Sequence, residues 1–308
     1  MLQYCRARLV DLVIAVLGVS TLVFFLLRLS GDPVALLVTE TTTREEMERL
    51  REALGLTAPL WEQYVRFLGH ALQGDFGDSL RHARPAASLV WETLPATLEL
   101  TAAALLIATL LAVPLGMLAA IRRGTAIETS CSVITLVGQS MPFFWLGILL
   151  ILVFAVQLHA LPSFGRGTLG HLILPALTLS AATMAKTARL VRSGMLEVLS
   201  QEYIRTARAK GLPERLVVLR HALRNIAIPV VTILGLDFGL LLGGAVVTET
   251  IFAWPGTGRL MIQAIQGRDF PVVQAAVFVL AIVFVVINAL LDLIYVWLDP
   301  RIRFRRGP

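Results

Sequence analysis

The chain has 308 residues, of which 56% are hydrophobic, with a mean hydropathy of +0.77 and a formal net charge of +6 at pH 7. This composition is far more apolar than that of soluble proteins and indicates a membrane protein embedded in a lipid bilayer. The basic residues lie between apolar stretches, so we expect no compact basic domain and no nucleic-acid partner.

Six apolar stretches are each long enough to cross about 30 Å of hydrocarbon. We therefore expect an all-α membrane protein with six transmembrane helices, forming a single domain over residues 1–308. The first stretch lacks a small-residue cleavage site, so we expect it to be retained rather than removed as a signal peptide. The six stretches are residues 9–29, 97–120, 131–157, 172–193, 227–248 and 272–297.

The distribution of basic residues predicts the orientation. Seventeen of the 27 Lys and Arg residues fall at the amino end, after the second stretch, in residues 186–224 and in the tail. Because cytoplasmic loops are enriched in basic residues, we expect these segments and both termini to be cytoplasmic. Residues 30–93 and the shorter links near 158–171 and 249–271 then lie outside.

The outer segment 30–93 has the signals of a folded cap. A helix is predicted from Glu45 to Leu54, with Thr42 and Glu45 forming a capping box, and Gly55 ending it. A second helix is predicted from Pro59 to Leu68, with proline in its first turn. The sequence leaves open whether this cap contacts a ligand or is only structural.

The third apolar stretch contains Gly138-Gln-Ser-Met-Pro142. Pro142 removes one backbone hydrogen bond, and Ser140 can bond the carbonyl that this frees. We therefore predict a kinked helix, with Gln139 and Ser140 facing a cavity.

Residues 194–226 are basic and amphipathic, and they lie between the fourth and fifth stretches. We predict a helix over about 200–210, a corner at Gly211-Leu-Pro213 with positive φ at Gly211, and a second helix from Glu214. An apolar stripe accompanies six basic residues, so we expect another protein to cover this segment on the cytoplasmic side. The stripe consists of Leu212, Leu216, Leu219 and Leu223.

Two further stretches carry polar groups inside the membrane. Asp237 lies in the middle of the fifth stretch, where a charge is costly, so we expect it to face the bundle interior. It either counters a cationic part of a substrate or bonds a neighbouring helix. Asn288 and Asp292 are four residues apart, hence on one helix face, and Asp292 is expected to pair with an arginine. Candidates for a polar path are Asp237, Gln139, Ser140 and Asn288.

The sequence also lacks the motifs of catalysis. Its two lysines, Lys186 and Lys210, do not belong to a phosphate-binding loop, and the five histidines have no metal-ligand spacing. Cys5 and Cys131 have no CxxC partner and are expected to be small buried residues without a disulfide. We therefore expect no enzymatic activity, no cofactor and no metal.

The basic segment resembles the cytoplasmic coupling loop of bacterial ABC-importer permeases. It departs from the general Glu-Ala-Ala pattern with Arg205, His221 and Arg224, but it matches the variant of the dipeptide/oligopeptide/nickel subfamily. That variant is Tyr203-Ile-Arg-Thr-Ala-Arg-Ala-Lys-Gly211, followed by His221-Ala-Leu-Arg-Asn225 and Pro229.

Nine further motifs occur in the order typical of this family and cover nearly the whole chain. The sequence is therefore identified as a member of the family and resembles its first, B-type, permease subunit. The motifs are Gly31-Asp-Pro33, Leu54-Gly-Leu56, Gly74-Asp-Phe-Gly77, Pro95-Ala-Thr-Leu-Glu-Leu100, Ser140-Met-Pro142, Ile173-Leu-Pro175, Glu249-Thr-Ile-Phe252, Trp254-Pro-Gly256 and Asp299-Pro-Arg-Ile-Arg303.

The resemblance implies the partners and the location. A homologous second permease, two cytoplasmic ATPase subunits and an extracytoplasmic solute-binding protein would complete an importer in the bacterial inner membrane. The ATPases would dock on the coupling loop, where we also expect Arg208 to meet an acidic patch. The residues implied in coupling are Arg205, Thr206, Ala207, Arg208, Gly211, Leu212 and Leu223.

The substrate remains open among dipeptides, longer peptides, glutathione-like peptides and nickel chelates. The alternative function is a self-contained secondary transporter or channel. That alternative favours an inverted repeat or several buried carboxylates, and the sequence has neither.

Overall fold

The computed structural model describes residues 2–29, 43–53 and 57–298. Within these ranges every named element is a helix, which confirms the all-helical prediction there. Two π-helical stretches, Ile151–Gln157 and Val217–Ala222, continue α6 and α9. The helices are α1 Leu2–Leu29, α2 Arg44–Ala53, α3 Leu60–Ala71, α4 Ala86–Ile121, α5 Ala126–Ser140, α6 Phe143–Leu150, α7 Leu169–Leu199, α8 Glu202–Ala209, α9 Glu214–Leu216, α10 Leu223–Ile251, α11 Thr257–Gln266 and α12 Phe270–Leu298.

Three helical stretches are long and apolar enough to cross a membrane: Ala86–Ile121, Glu214–Ile251 and Phe270–Leu290. A fourth span results if α5 and the helix Phe143–Gln157 are counted as one broken span. The long helix α7 carries Lys186 and Arg189, and the apolar part of α1 is short. Crossing by these two helices, and hence the six-span topology, stays a prediction.

The predicted span 131–157 is not a kinked helix. Helix α5 ends at Ser140, Met141 is extended with ψ of 129°, and Pro142 caps the next helix. The two helices meet at 110°. The predicted kink underestimates the bend between the two helices. Proline disfavours helical geometry in the residue before it and also lacks a backbone N–H donor. Ser140 makes no side-chain hydrogen bond within the described residues, so its predicted role at the freed carbonyl was wrong.

The chain divides into two compact units, residues 1–96 with 256–287 and residues 97–255 with 288–308. In the first unit, Asp269 is 2% exposed and holds the turn that follows α3. Its carboxylate accepts hydrogen bonds from Ser79 Oγ at 2.5 Å and from the backbone N–H of Leu80 at 3.2 Å. One buried carboxylate thus fixes the turn after α3 to the α11–α12 connection.

Helix α2 begins at Arg44, one residue before the predicted Glu45, and its capping box lies one residue later than predicted. Thr43 and Glu46 form that box: Thr43 N–H donates to Glu46 Oε2 at 2.9 Å, and Glu46 N–H donates to Thr43 Oγ1 at 3.3 Å. The predicted Glu45 instead lies in the first turn. Thr42 and Gly55 lie outside the described residues. Pro59 precedes α3 as its N-cap.

In the second unit, α4 packs closely against α7 through small residues. A buried residue recurs every four positions, which places a continuous ridge on one face of α4. At Gly116 a Cβ would lie 2.5 Å from the carbonyl oxygen of Ala188 and 2.7 Å from Val191 Cβ. Only glycine permits this approach. The ridge consists of Leu100, Ala104, Ala108, Ala112, Gly116 and Ala120.

Candidate functional site

The predicted corner at Gly211 is present, with the expected backbone geometry. Gly211 has φ of +75°, which confirms the prediction of a left-handed helix end. Its N–H donates to the Arg208 carbonyl at 2.9 Å, and the N–H of Leu212 donates to the Ala207 carbonyl at 3.4 Å. This pair of bonds is a Schellman motif, which satisfies the last carbonyls of α8 and turns the chain sharply.

The second helix begins at Glu214, as predicted, with Pro213 as its N-cap. It is not a separate element of a loop, because α9 continues through the π-helical stretch into α10 as far as Ile251. The predicted loop 194–226 therefore reduces to α8 and its two short connections, since α7 extends to Leu199. The second half of the loop is the first part of a long apolar helix.

One face of α8 anchors it to the core of its unit. Ile204 is fully buried and Ala207 is 7% exposed, and both pack in a cluster with Val217, Met195 and Ile226. This anchoring ties α8 to both α7 and α10. Movement of α8 relative to these helices would disrupt a packed apolar cluster.

The opposite face of α8 is exposed. The residues implied in coupling divide between the two sides: Ala207 lies inside, and Leu212 and Leu223 pack partly against the core. The exposed members of the set are Arg205, Thr206, Arg208 and Gly211. Tyr203, which was not among the predicted residues, is 44% exposed on the same short helix.

The leucine stripe is only half covered. Leu216 and Leu219 are 36% and 44% exposed, whereas Leu212 and Leu223 contact the core. The residues buried between them are Val217, Val218 and Ala222. The exposure of Leu216 and Leu219 leaves room for the expected covering protein, and that cover stays a prediction.

Arg208 has a partner within this chain. Its guanidinium donates to both carboxylate oxygens of Glu214, at 2.6 and 3.1 Å, across the corner. Hydrogen bonding to Glu214 raises the pKa of Arg208 above its usual value. The turn at Gly211 brings residues 208 and 214 together, so Arg208 has an internal partner, and its contact with an acidic patch on an ATPase stays a prediction.

Asp237 also has a partner, on the neighbouring helix α7. Lys186 Nζ donates to Asp237 Oδ1 at 2.6 Å. The Asp237 side chain is 2% exposed and the Lys186 side chain 45% exposed. Of the two predicted roles, bonding to a neighbouring helix is present in the structure. The second oxygen, Oδ2, is buried and makes no hydrogen bond in the described part of the chain.

The other path candidates are distributed over other helices. Gln139 and Ser140 are exposed at the carboxyl end of α5, and neither shares a hydrogen bond with Asp237 in the described chain. Asn288 is half-buried in α12. The side chain of Asp292 lies outside the described residues, as does that of Cys5, whereas Cys131 is a buried free cysteine.

Three polar contacts were missed from the sequence. Glu249 is fully buried and accepts a hydrogen bond from Thr97 at 2.6 Å. Arg192 on α7 pairs with Glu128 on α5. The third contact is the pair of Lys186 and Asp237. The available signal was that a charge within an apolar span requires a partner of opposite sign.

Among the described residues, no three His, Cys, Asp or Glu side chains are grouped so as to hold a metal ion. A cavity of about 250 Å³ lies between α4, α5 and α7. It is lined by apolar residues together with Cys131, Ser132, Thr135, Arg189 and Arg192.

Known proteins resemble this chain along its entire length. Residues 112–304 match the family described as binding-protein-dependent transport system inner membrane component. Residues 1–101 match the N-terminal family of the same membrane components. The glutathione transport system permease protein GsiC of Escherichia coli strain K12 is 42% identical over 306 residues, which cover 99% of this chain and all of the relative. The same protein from Shigella dysenteriae serotype 1 has the same identity and coverage.

Solved structures share the fold. Two inward-facing crystal forms of the MetNI methionine ABC transporter align with TM-scores of 0.55 and 0.59. Each alignment covers 68% of this chain and 96% of the other chain, at 21% identity.

Proposed function

Because this chain belongs to the family of binding-protein-dependent transport system inner membrane components, we propose that it forms half of the translocation path of an ATP-driven importer of small peptides. The chain is a multi-pass permease subunit of an ABC importer and not itself an enzyme. The family assignment favours this function over the alternative of a self-contained secondary transporter or channel.

The importer would contain the partners implied by the sequence. A homologous permease completes the path, two ATPase subunits bind on the cytoplasmic face, and an outer solute-binding protein delivers the substrate. In this arrangement α1 and α7 also cross the inner membrane, which gives six spans with both termini in the cytoplasm. The relatives named above are glutathione permeases, and glutathione is a peptide, which favours a peptide over a nickel chelate.

The anchored corner at Gly211 is the observation that carries the proposal. Helix α8 presents an exposed face while Ile204 and Ala207 fix it to α7 and α10. A short helix held in this way transmits a rigid-body displacement of a docked ATPase to the two long helices. The internal pair of Arg208 and Glu214 braces the corner, and Tyr203, Arg205 and Thr206 are exposed beside it, with Arg205 paired to Glu202 at 2.8 Å.

Substitution of Gly211 tests this role. Its φ of +75° makes a Cβ costly by roughly 1–2 kcal/mol, although no atom within 4 Å would clash. Gly211→Val should insert and pair with the second permease, but it should lose ATPase co-purification or at least nine-tenths of peptide uptake. Gly124→Val is the matched control, because Gly124 has φ of +77° and open surroundings in the α4–α5 link. Equal behaviour of the two variants would remove the coupling role from α8.

Cysteine labelling tests the orientation. Ser200→Cys, between α7 and α8, should react only with reagents added from the cytoplasm. Thr43→Cys, before α2, should react only from outside. Labelling of both sites from one face would contradict the six-span topology.

A further inference from the structure

One face of α7 is charged although its opposite face is deeply buried. Lys186, Arg189, Ser193 and Glu197 recur at intervals of three and four residues and are all exposed. The buried side includes Ala185, Ala188, Val191 and Met195, each at most 2% exposed. The helix is therefore amphipathic along its inner half, and its charged face needs a polar environment.

Lipid tails cannot provide that environment. Lys186 lies seven residues before the end of the predicted span 172–193, which is about 10 Å along the helix axis at 1.5 Å per residue. A lysine or arginine that faces hydrocarbon costs up to about 2.5–3.5 kcal/mol, the value at the centre of a span. The face must therefore border water or another protein.

The first two charged groups on this face, Lys186 and Arg189, are exposed cations, whereas Glu197 lies about two turns further along and the carboxylate that pairs with Lys186 is buried. The Asp237 side chain is 2% exposed and binds the ammonium group of Lys186, while the Lys186 side chain remains 45% exposed. Arg189, one turn further, makes no ion pair or hydrogen bond with any residue that the structure describes. The neighbouring Arg192 is already held by Glu128.

Space for a ligand group lies beside the two arginines of this part of α7. Arg189 and Arg192 line the cavity of about 250 Å³, together with Ser132 and Thr135. A single water occupies about 30 Å³ of liquid volume, so the cavity holds more than an isolated water. A guanidinium next to hydroxyl groups is suited to an oxygen anion such as a carboxylate.

We propose that Lys186 and Arg189 form a carboxylate-binding step in the translocation path, so that this permease favours peptides with an exposed carboxylate. The inference rests on the proposed peptide importer and assigns its path a charge preference. Asp237 is then a positioning residue for Lys186, and not a counter-ion for a cationic part of the substrate. This surface is lined with water in the assembled transporter and attracts anions.

A substrate-independent experiment measures the charge of this face. In the complete transporter, with Cys5→Ser and Cys131→Ala, Ser193→Cys places a thiol one turn from Arg189. Inverted membrane vesicles are treated with the anionic reagent 2-sulfonatoethyl methanethiosulfonate or the cationic reagent 2-trimethylammonioethyl methanethiosulfonate. The rate at which each reagent modifies the thiol of Ser193→Cys is measured without nucleotide and with ATP plus vanadate.

The ratio of the anionic to the cationic rate should fall about tenfold when the face is neutralised by Lys186→Gln, Asp237→Asn and Arg189→Gln together. Replacing Asp237 at the same time avoids a buried carboxylate without a partner. Arg189→Gln alone disturbs no ion pair and should lower the ratio about threefold, so the test holds if the triple variant does not assemble. Arg49→Gln with Arg66→Gln removes two outer cations and should leave the ratio unchanged.

An unchanged ratio in the neutralised variants, or no reaction at Ser193→Cys in either nucleotide state, would overturn the proposal. The second result would mean that another protein covers the face. Uptake of radiolabelled glutathione by the parent transporter separates this outcome from failure of the proposed function. Absence of glutathione uptake by the parent excludes glutathione as its substrate, and absence of dipeptide uptake as well contradicts the peptide importer, whereas the labelling ratio alone decides the charge of the face.

Discussion

Two ion pairs in this chain have the same length and opposite surroundings. Lys186 and Asp237 join α7 to α10 at 2.6 Å, and Arg208 and Glu214 join the two sides of the Gly211 corner, also at 2.6 Å. Asp237 is 2% exposed, whereas Arg208 and Glu214 are 42% and 53% exposed. Because solvation rather than distance determines the energy of an ion pair, the first should constrain the helices and the second only the local turn.

The largest effect should follow removal of Lys186. Lys186→Met leaves the Asp237 carboxylate buried without a partner, which should cost about 3 kcal/mol of the free energy of unfolding. Asp237→Asn leaves a lysine that already reaches water, so its cost should be about 1 kcal/mol. Thermal unfolding of the purified transporter in detergent measures both.

The neutral double variant Lys186→Met/Asp237→Asn is the control for this asymmetry. It should recover most of the stability that Lys186→Met loses, because no buried charge remains. Equal losses in the two single variants would mean that the exposures of Lys186 and Asp237 do not govern the energy of the pair.

The two pairs also differ in how far the sequence predicts them. Gly211, Pro213 and Glu214 are local signals, and the corner follows from them directly. Asp237 was expected to be costly in the membrane, but its partner lies 51 residues earlier on another helix. Pairing over that separation depends on how α7 and α10 pack, which no local pattern encodes.

Prediction from local sequence also failed where several adjacent residues were equally suitable as the helix cap. Thr41, Thr42 and Thr43 all resemble a helix cap, and the structure uses Thr43 with Glu46. The π-helical stretch Val217–Ala222 has no signature in the leucine pattern and was not predicted. The glycine at position 116 was missed, although small residues at every fourth position of α4 indicate a close helix contact.

Gly116→Ala should have the second largest effect and tests whether the Lys186–Asp237 pair depends on the position of α7. The added Cβ would lie 2.5 Å from a backbone oxygen of Ala188, so α7 must shift. Overpacking of this kind typically costs 1–3 kcal/mol. The unfolding temperature should fall, and the extra cost of Lys186→Met should shrink in the Gly116→Ala background.

Gly69→Ala is the matched control, because a Cβ there meets nothing within 4 Å on the exposed part of α3. It should leave the unfolding temperature close to that of the parent. If the costs of Gly116→Ala and Lys186→Met are strictly additive, α7 does not move enough to affect the pair.

The smallest loss of stability should follow substitution of Arg208. Its size tests whether the exposed Arg208–Glu214 pair stabilises only the local turn. Arg208→Gln removes an exposed pair, which should cost about 0–1 kcal/mol of stability and less at high salt. The uptake assay should show a moderate loss, because the corner keeps its backbone bonds from Gly211 and Leu212.

Exchanging the charges, Arg208→Glu with Glu214→Arg, should restore uptake if the pair only braces the corner. If the exchange variant still fails while Arg208→Gln transports well, the sign of the charge at position 208 matters to the docked ATPase. That result would make Arg208 a docking residue in spite of its internal partner.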